Sequence, residues 1–277
     1  MHPWLIAGLP AAFLLVAFII PTAFLLSMSF VRSNAMVPTG QFTLGNYATL
    51  LTGSYYLRTI GRTFVVGFGT GALVVVLSFP VAYFLVRTTS PWKGVLIALS
   101  LAPLLASVIV RTYGWWVILN RDGALNLLLQ GIGVIDQPLP FLPSTGALIV
   151  GLAHALMPYG VLSIMASLNG LNPSLERAAM SLGAGRTRTL FAVTLPLSAA
   201  GIAGGFLLSF AIAISAYATP AILGGPSTQV MATMIEQFML ELLNWSLGSA
   251  MGVILLISSL LLLLLIAAGS GRRGAPA

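Results

Sequence analysis

NGLNPSLERAAMSLGAGRTRTLFAVTLP, residues 169–196, is a polar connection with a short helix written into it, set between two long apolar stretches. Asn172 reads as an N-cap and Pro173 as the first helical residue, where a missing N–H costs nothing. Glu176 falls in the first turn, at the positive end of the helix dipole. Leu175, Ala178, Ala179 and Leu182 recur at helical spacing and form one apolar face. Gly183 and Gly185 then end the helix. Two turns of helix are too short to stand alone in water, so this one needs a surface to lie on. Its small-residue face suits a groove on a protein partner. On lipid headgroups, Ala178 and Ala179 would bury little.

Outward from this loop the chain reads as membrane. A crossing helix needs about 20 apolar residues at about 1.5 Å rise each. Six stretches qualify: Trp4–Phe30, Phe64–Val86, Gly94–Leu119, Thr145–Leu168, Leu195–Tyr217 and Leu247–Ala268. The first is too long for the apolar core of a secretory signal, about 7–15 residues, and reads as a retained helix. The expected fold is all-α: a polytopic membrane protein of six transmembrane helices, one domain over residues 1–277. Pro10, Pro21, Pro80, Pro103, Pro158, Pro196 and Pro220 lie in or beside the spans, each removing a donor and tending to kink its helix. Gly67, Gly69 and Gly71, with Gly201, Gly204 and Gly205, permit close helix approach.

Composition agrees. The 277 residues include only 12 Lys+Arg and 5 Asp+Glu, 58% are hydrophobic, and mean hydropathy is +1.03. Soluble domains carry roughly 25% charged residues. A cytosolic enzyme and a disordered chain are thereby excluded. The net charge of +7 does not mark a nucleic-acid binder, because the basic residues are scattered and form no cluster. With no cysteine there is no disulfide, thiol nucleophile or thiolate metal site. His2 and His154 are too few for a histidine metal site, and no acid lies near His154 in sequence.

Basic residues also set orientation. The connections after the second and fourth spans, with the carboxyl tail, hold seven: Arg87, Lys93, Arg177, Arg186, Arg188, Arg272 and Arg273. The other connections hold four: Arg32, Arg58, Arg62 and Arg121. The positive-inside rule then places both termini in the cytoplasm.

The loop spacing resembles a known signature. Permease subunits of binding-protein-dependent ABC importers carry an EAA motif, then three residues, Gly, nine residues, Ile, one residue and Leu-Pro. Here Ala178 and Ala179 are followed by three residues and Gly183, and after nine more come Val193, Thr194, Leu195 and Pro196. Arg177 stands where the family usually has Glu, and Glu176 lies one position earlier. Four further segments resemble the spermidine/putrescine permeases. They are Val110 to Trp115, Asn120 to Asn126, Gly133 to Pro138, and Thr219 to Pro226, and the likeness runs over roughly residues 60–265. Before Thr219 such permeases often carry an acid; this chain has Ile214-Ser215-Ala216-Tyr217.

The resemblance implies the type I importer permease fold and a coupling loop at 170–195. Leu175, Glu176, Arg177, Ala178, Ala179, Leu182 and Gly183 would then dock on a cytoplasmic ATPase. It also implies a second permease subunit, an ATP-binding subunit dimer, an extracytoplasmic substrate-binding protein and a bacterial inner-membrane location. The chain has no phosphate-binding G-x-x-x-x-G-K-[ST] loop, so it is expected to bind no cofactor and to be no enzyme. ATP and Mg belong to the partner ATPase. The implied cargo is a polyamine or related nitrogenous compound, with an opine, an aminophosphonate, ferric iron or another anion as alternatives.

Pathway candidates are polar or aromatic groups at or near membrane depth: Arg111, Tyr113, Tyr217 and Thr219, with Glu236 at an outer surface. Arg111 alternatively snorkels or pairs with Asp122, and Tyr113, Trp115 and Trp116 fit an interfacial aromatic belt. His154 reads as an interhelical hydrogen-bonded contact. A stand-alone ion-coupled carrier is the competing class, but it usually buries several ionisable residues near the midplane. Here only Arg111 and His154 qualify.

Overall fold

A computed structural model describes residues 3–34 and 37–271. Arg272, Arg273 and both chain ends, which entered the orientation argument, lie outside the described residues. Helix α1 (Pro3–Ser29) is followed by two short antiparallel strands, β1 (Val31–Asn34) and β2 (Val37–Phe42), and by α2 (Gly45–Thr52). The strand pair is the one departure from an all-α chain among the described residues. Then come α3 (Ser54–Arg87), α4 (Lys93–Leu105), α5 (Val108–Leu119), α6 (Ala124–Gly131), α7 (Thr145–Asn169) and α8 (Ser174–Ser181). A bent rod follows: α9 (Arg186–Thr189), a π turn (Leu190–Thr194), α10 (Leu195–Leu197) and α11 (Ala199–Ser215). The chain continues through α12 (Ala218–Leu223), α13 (Met231–Glu236), a second π turn (Gln237–Glu241) and α14 (Trp245–Gly271).

Four helices are long and apolar enough to cross a membrane unbroken, in α1, α3, α7 and α14. Two bent pairs raise the number to as many as six if each pair is one span. The kinking tendency expected of the prolines is thus realised sharply in the third and fifth apolar stretches. The third breaks at Ala106–Ser107, and its two arms diverge by 95°. The fifth begins earlier than Leu195, at Arg186, and bends by 66° at Ser198. Pro196 has no N–H to offer the turn before it, and the wider π turn over Leu190–Thr194 takes up the mismatch. Pro80 and Pro158, by contrast, sit inside continuous helices.

The chain divides into two compact units. The first draws on residues 1–60 and 230–262. Its core joins Leu50, Met231, Met234, Phe238, Ala250 and Met251. There, Asn46 Nδ2 donates to the Ser29 and Val31 carbonyls at 2.9 and 3.0 Å and fixes the base of the strand pair.

The second unit draws on residues 61–229 and 263–277, and α7 is its central helix. Small residues bring α3 and α11 onto α7. A Cβ at Gly160 would stand 2.6 Å from both Ser78 Oγ and Val74 Cγ1, and one at Gly201 would stand 2.4 Å from Ser167 Cβ. Hydroxyls cross the same contacts: Ser78 Oγ donates to the Met157 carbonyl at 3.1 Å and Ser163 Oγ to the Gly201 carbonyl at 2.9 Å. Gly67 and Gly71 meet Ile214, Phe210 and Phe206 of α11 as closely, so the glycines read as packing positions do pack. At one end of this bundle Ala82, Leu85, Val161, Ile164 and Leu168 form a buried cluster. That cluster fixes the terminus of α3, and with it Arg87.

Candidate functional site

Helix α8 starts at Ser174, one residue later than expected from Pro173. Asn172 still serves the helix start: its Oδ1 accepts the Ser174 N–H at 2.9 Å, and its carbonyl accepts that of Leu175. At the other end, Gly183 has φ +88°. The Ala184 N–H donates to the Ala179 carbonyl and the Gly183 N–H to that of Met180. This paired pattern is a Schellman turn, which needs a left-handed residue at Gly183. Both ends of α8 are thus set locally by residues that the sequence displays.

The apolar face of α8 is open. Leu175 is 47% exposed and Leu182 90%; Ala178 is exposed and Ala179 half-buried. Arg177 is exposed beside them. Glu176 turns the other way. Its Oε1 accepts from Arg87 Nη2 at 2.9 Å and from Thr194 Oγ1 at 2.8 Å, and its side chain is only 13% exposed. Arg87 closes α3 and Glu176 lies in the first turn of α8, so each charge sits at the helix end whose dipole favours it. In sequence, Glu176 belongs to the docking group and Arg87 bears only on orientation. The three-way junction with Thr194 was not visible.

Of the pathway candidates, Arg111 lies in α5 and its Nη1 donates to the carbonyl of Pro103 in α4, not to Asp122. The break in the third span leaves the last carbonyls of α4 without following N–H groups, and Arg111 reaches back across it to satisfy one. Tyr113 and Tyr217 are 53% and 45% exposed. Thr219 is buried, at 3% exposure, and shares a 3.2 Å hydrogen bond with Thr112. Its hydroxyl therefore ties α12 to α5 instead of facing an opening in this chain. Arg111 and Tyr113 flank Thr112 in α5, and of the candidates only Thr219 bonds to Thr112; Glu236 ends α13 in the other unit.

His154 accepts from Trp115 Nε1 at 3.2 Å through Nδ1, with the rings edge to face, which is the interhelical contact expected of it. It also edges an apolar groove of about 590 Å³ among α3, α4 and α7, lined by Phe84, Leu85, Leu99 and Met157, with Ser100 as the other polar group. Among the described residues, no three His, Asp or Glu side chains are grouped so as to hold a metal ion.

Asn126 was quoted in the sequence only as part of a resembling segment. It is fully buried, donates to the carbonyls of Asn120, Arg121 and Leu139, and accepts the Leu139 N–H at 2.9 Å. It therefore holds the whole 120–139 connection in shape.

No protein-family model matches the chain. Its sequence is 30% identical over 240 residues to the spermidine/putrescine transport system permease protein PotB of Salmonella typhimurium (strain SL1344), covering 85% of this chain and 82% of that one. It is also 30% identical over 237 residues to PotB of Escherichia coli (strain K12), covering 85% and 86%. Among solved structures it resembles a chain of a bacterial ABC transporter involved in the import of the acidic polysaccharide alginate. There the TM-score is 0.78 at 18% identity, over 98% of this chain and 96% of the other. That likeness speaks for the fold.

Proposed function

The chain belongs to the family of ABC importer permeases that contains the spermidine/putrescine permeases, and on that premise we propose that it supplies one half of an import pathway for a polyamine. It is a multi-pass inner-membrane protein. A second permease of similar size supplies the other half, and a substrate-binding protein delivers cargo to the outer face. Energy comes from a separate pair of ATP-binding subunits, which hold ATP and Mg. Both termini and α8 lie on the cytoplasmic side.

The observation that carries this reading is α8. It is a two-turn helix capped at both ends, rooted by Glu176 and presenting Leu175, Ala178 and Leu182 to the outside. Such a ridge is unstable in water unless a partner covers it. Within the spans no carboxylate is available to a cationic cargo; the five acids are Asp122, Asp136, Glu176, Glu236 and Glu241. Aromatic faces are the remaining partners for an ammonium group, and the exposure of Tyr113 and Tyr217 supports their offering them. Arg111 is already engaged by the Pro103 carbonyl and holds the wrong charge for this cargo.

The test is uptake of labelled putrescine and spermidine into proteoliposomes carrying the permease pair, with ATPase and binding protein supplied on their proper sides. Wild-type membranes should take up label with ATP. Replacing Ala178 and Ala179 with aspartate should leave insertion intact and abolish uptake. Uptake unaffected by these changes would remove α8 from the coupling role. Normal ATP-driven uptake of another solute, with neither polyamine accepted, would overturn the cargo.

A further inference from the structure

We propose that Glu176 is a positioning residue, a pivot through which α8 is held by, and moves with, two membrane helices at once. This rests on the coupling role just assigned to α8. Three elements far apart in sequence meet at one oxygen. Oε1 of Glu176 accepts from Arg87 Nη2, at the end of α3, and from Thr194 Oγ1, in the π turn that leads into α10 and α11. Arg87 is 89 residues from Glu176 and Thr194 is 18.

The junction is enclosed. Thr194 is 1% exposed, and the Glu176 and Arg87 side chains are 13% and 23% exposed. A carboxylate withdrawn this far from water keeps its place only while its donors stay with it. Displacement of α8 must therefore carry Arg87 and Thr194 along or break the junction.

Two features make the joint a pivot and not a clamp. Arg87 uses one N–H on Glu176, not the two-pronged fork that fixes both position and angle. Its Nε is buried and makes no hydrogen bond among the described residues, so no second prong from Nε fixes the angle of the guanidinium on Glu176. The second arm ends in a π turn, where the backbone ladder already departs from α geometry and the rod beyond it bends by 66°. A tilt of α8 is thus delivered to the end of α3 as a pull, and to the fifth span at its most adjustable turn. Arg177, which is exposed, is left to face the partner.

The chain has no cysteine, so reporters can be placed at will. Spin labels on cysteines introduced at the exposed Thr89, two residues past the end of α3, and at Ser181 measure that end against α8 in the assembled transporter. Glu176 with its donors intact should give a narrow distance distribution. Glu176→Gln and Arg87→Gln should each broaden it, while the ATPase still co-purifies. Solute taken up per ATP hydrolysed should fall between about twofold and thirtyfold. Thr194→Val should give a smaller loss, and the exchanged pair Arg87→Glu with Glu176→Arg should recover part of it. A narrow distribution and unchanged uptake per ATP in both single variants would overturn the pivot. Loss of the ATPase from Glu176→Gln alone would also overturn it, by making Glu176 a docking contact. A wild-type chain that binds no ATPase would instead remove the coupling role itself, and the spin-label distances would still report whether the junction holds α8.

Discussion

At Gly183 the backbone stands at φ +88° with no atom within 4 Å of where a Cβ would be. The demand for glycine there is conformational and not steric. Gly183→Val should cost about 1–2 kcal/mol in the α8 terminus, and uptake should drop while membrane insertion persists. Gly183→Asn, which tolerates the left-handed region, should be closer to wild type. Equal losses for Val and Asn, measured as uptake at matched protein level, would contradict this. Gly183 was legible because glycine followed directly on an apolar helical face. Glu176 was half legible: its place in the first turn followed from spacing, but its partners did not. Nothing local announces a pairing across 89 residues. Thr219 shows the same gap, since its partner Thr112 comes from a different span.

Among elements, the six apolar runs were legible because a helix needs about 20 apolar residues to cross the hydrocarbon. Which prolines bend them, and how sharply, was not. Seven prolines lie in or beside the spans, and those at Pro103 and Pro196 accompany the two sharp bends, whereas Pro80 and Pro158 leave α3 and α7 continuous. What separates them is the surrounding support. At the first bend Arg111 takes up the Pro103 carbonyl. Arg111→Met should therefore leave that carbonyl unpaired at membrane depth, at a cost of about 1–3 kcal/mol. A lower melting temperature in detergent is expected, with Arg111→Lys recovering part of it. At the crossing of α3, α7 and α11, Gly160→Leu should cost about 1–3 kcal/mol or more, because the backbones would have to separate. Unchanged thermal stability of that variant would show that the helices tolerate a wider spacing.

For the molecule as a whole, the basic residues predict which face is inside. A single cysteine at Ser181 should react with a membrane-impermeant maleimide only after the cells are opened, and one at Asp136 should react in intact spheroplasts. Both positions are exposed in the structure. The reverse pattern would invert the orientation. Charge at 6% of residues and mean hydropathy of +1.03 were enough to determine that the chain lives in lipid. The apolar runs determined that it can make up to six crossings, and residues 169–196 that a short capped helix lies between the fourth and fifth runs. These are properties of runs and neighbours, fixed by hydrogen-bonding and burial rules that act over a few residues. Only the tertiary structure decided that the sharp bends fall in the third and fifth stretches, that Arg111 secures one bend, and that Glu176 faces α3 and the π turn instead of the outside. Those outcomes depend on which helix ends arrive side by side, and that is settled by close approach of small residues along α7, not by any local pattern.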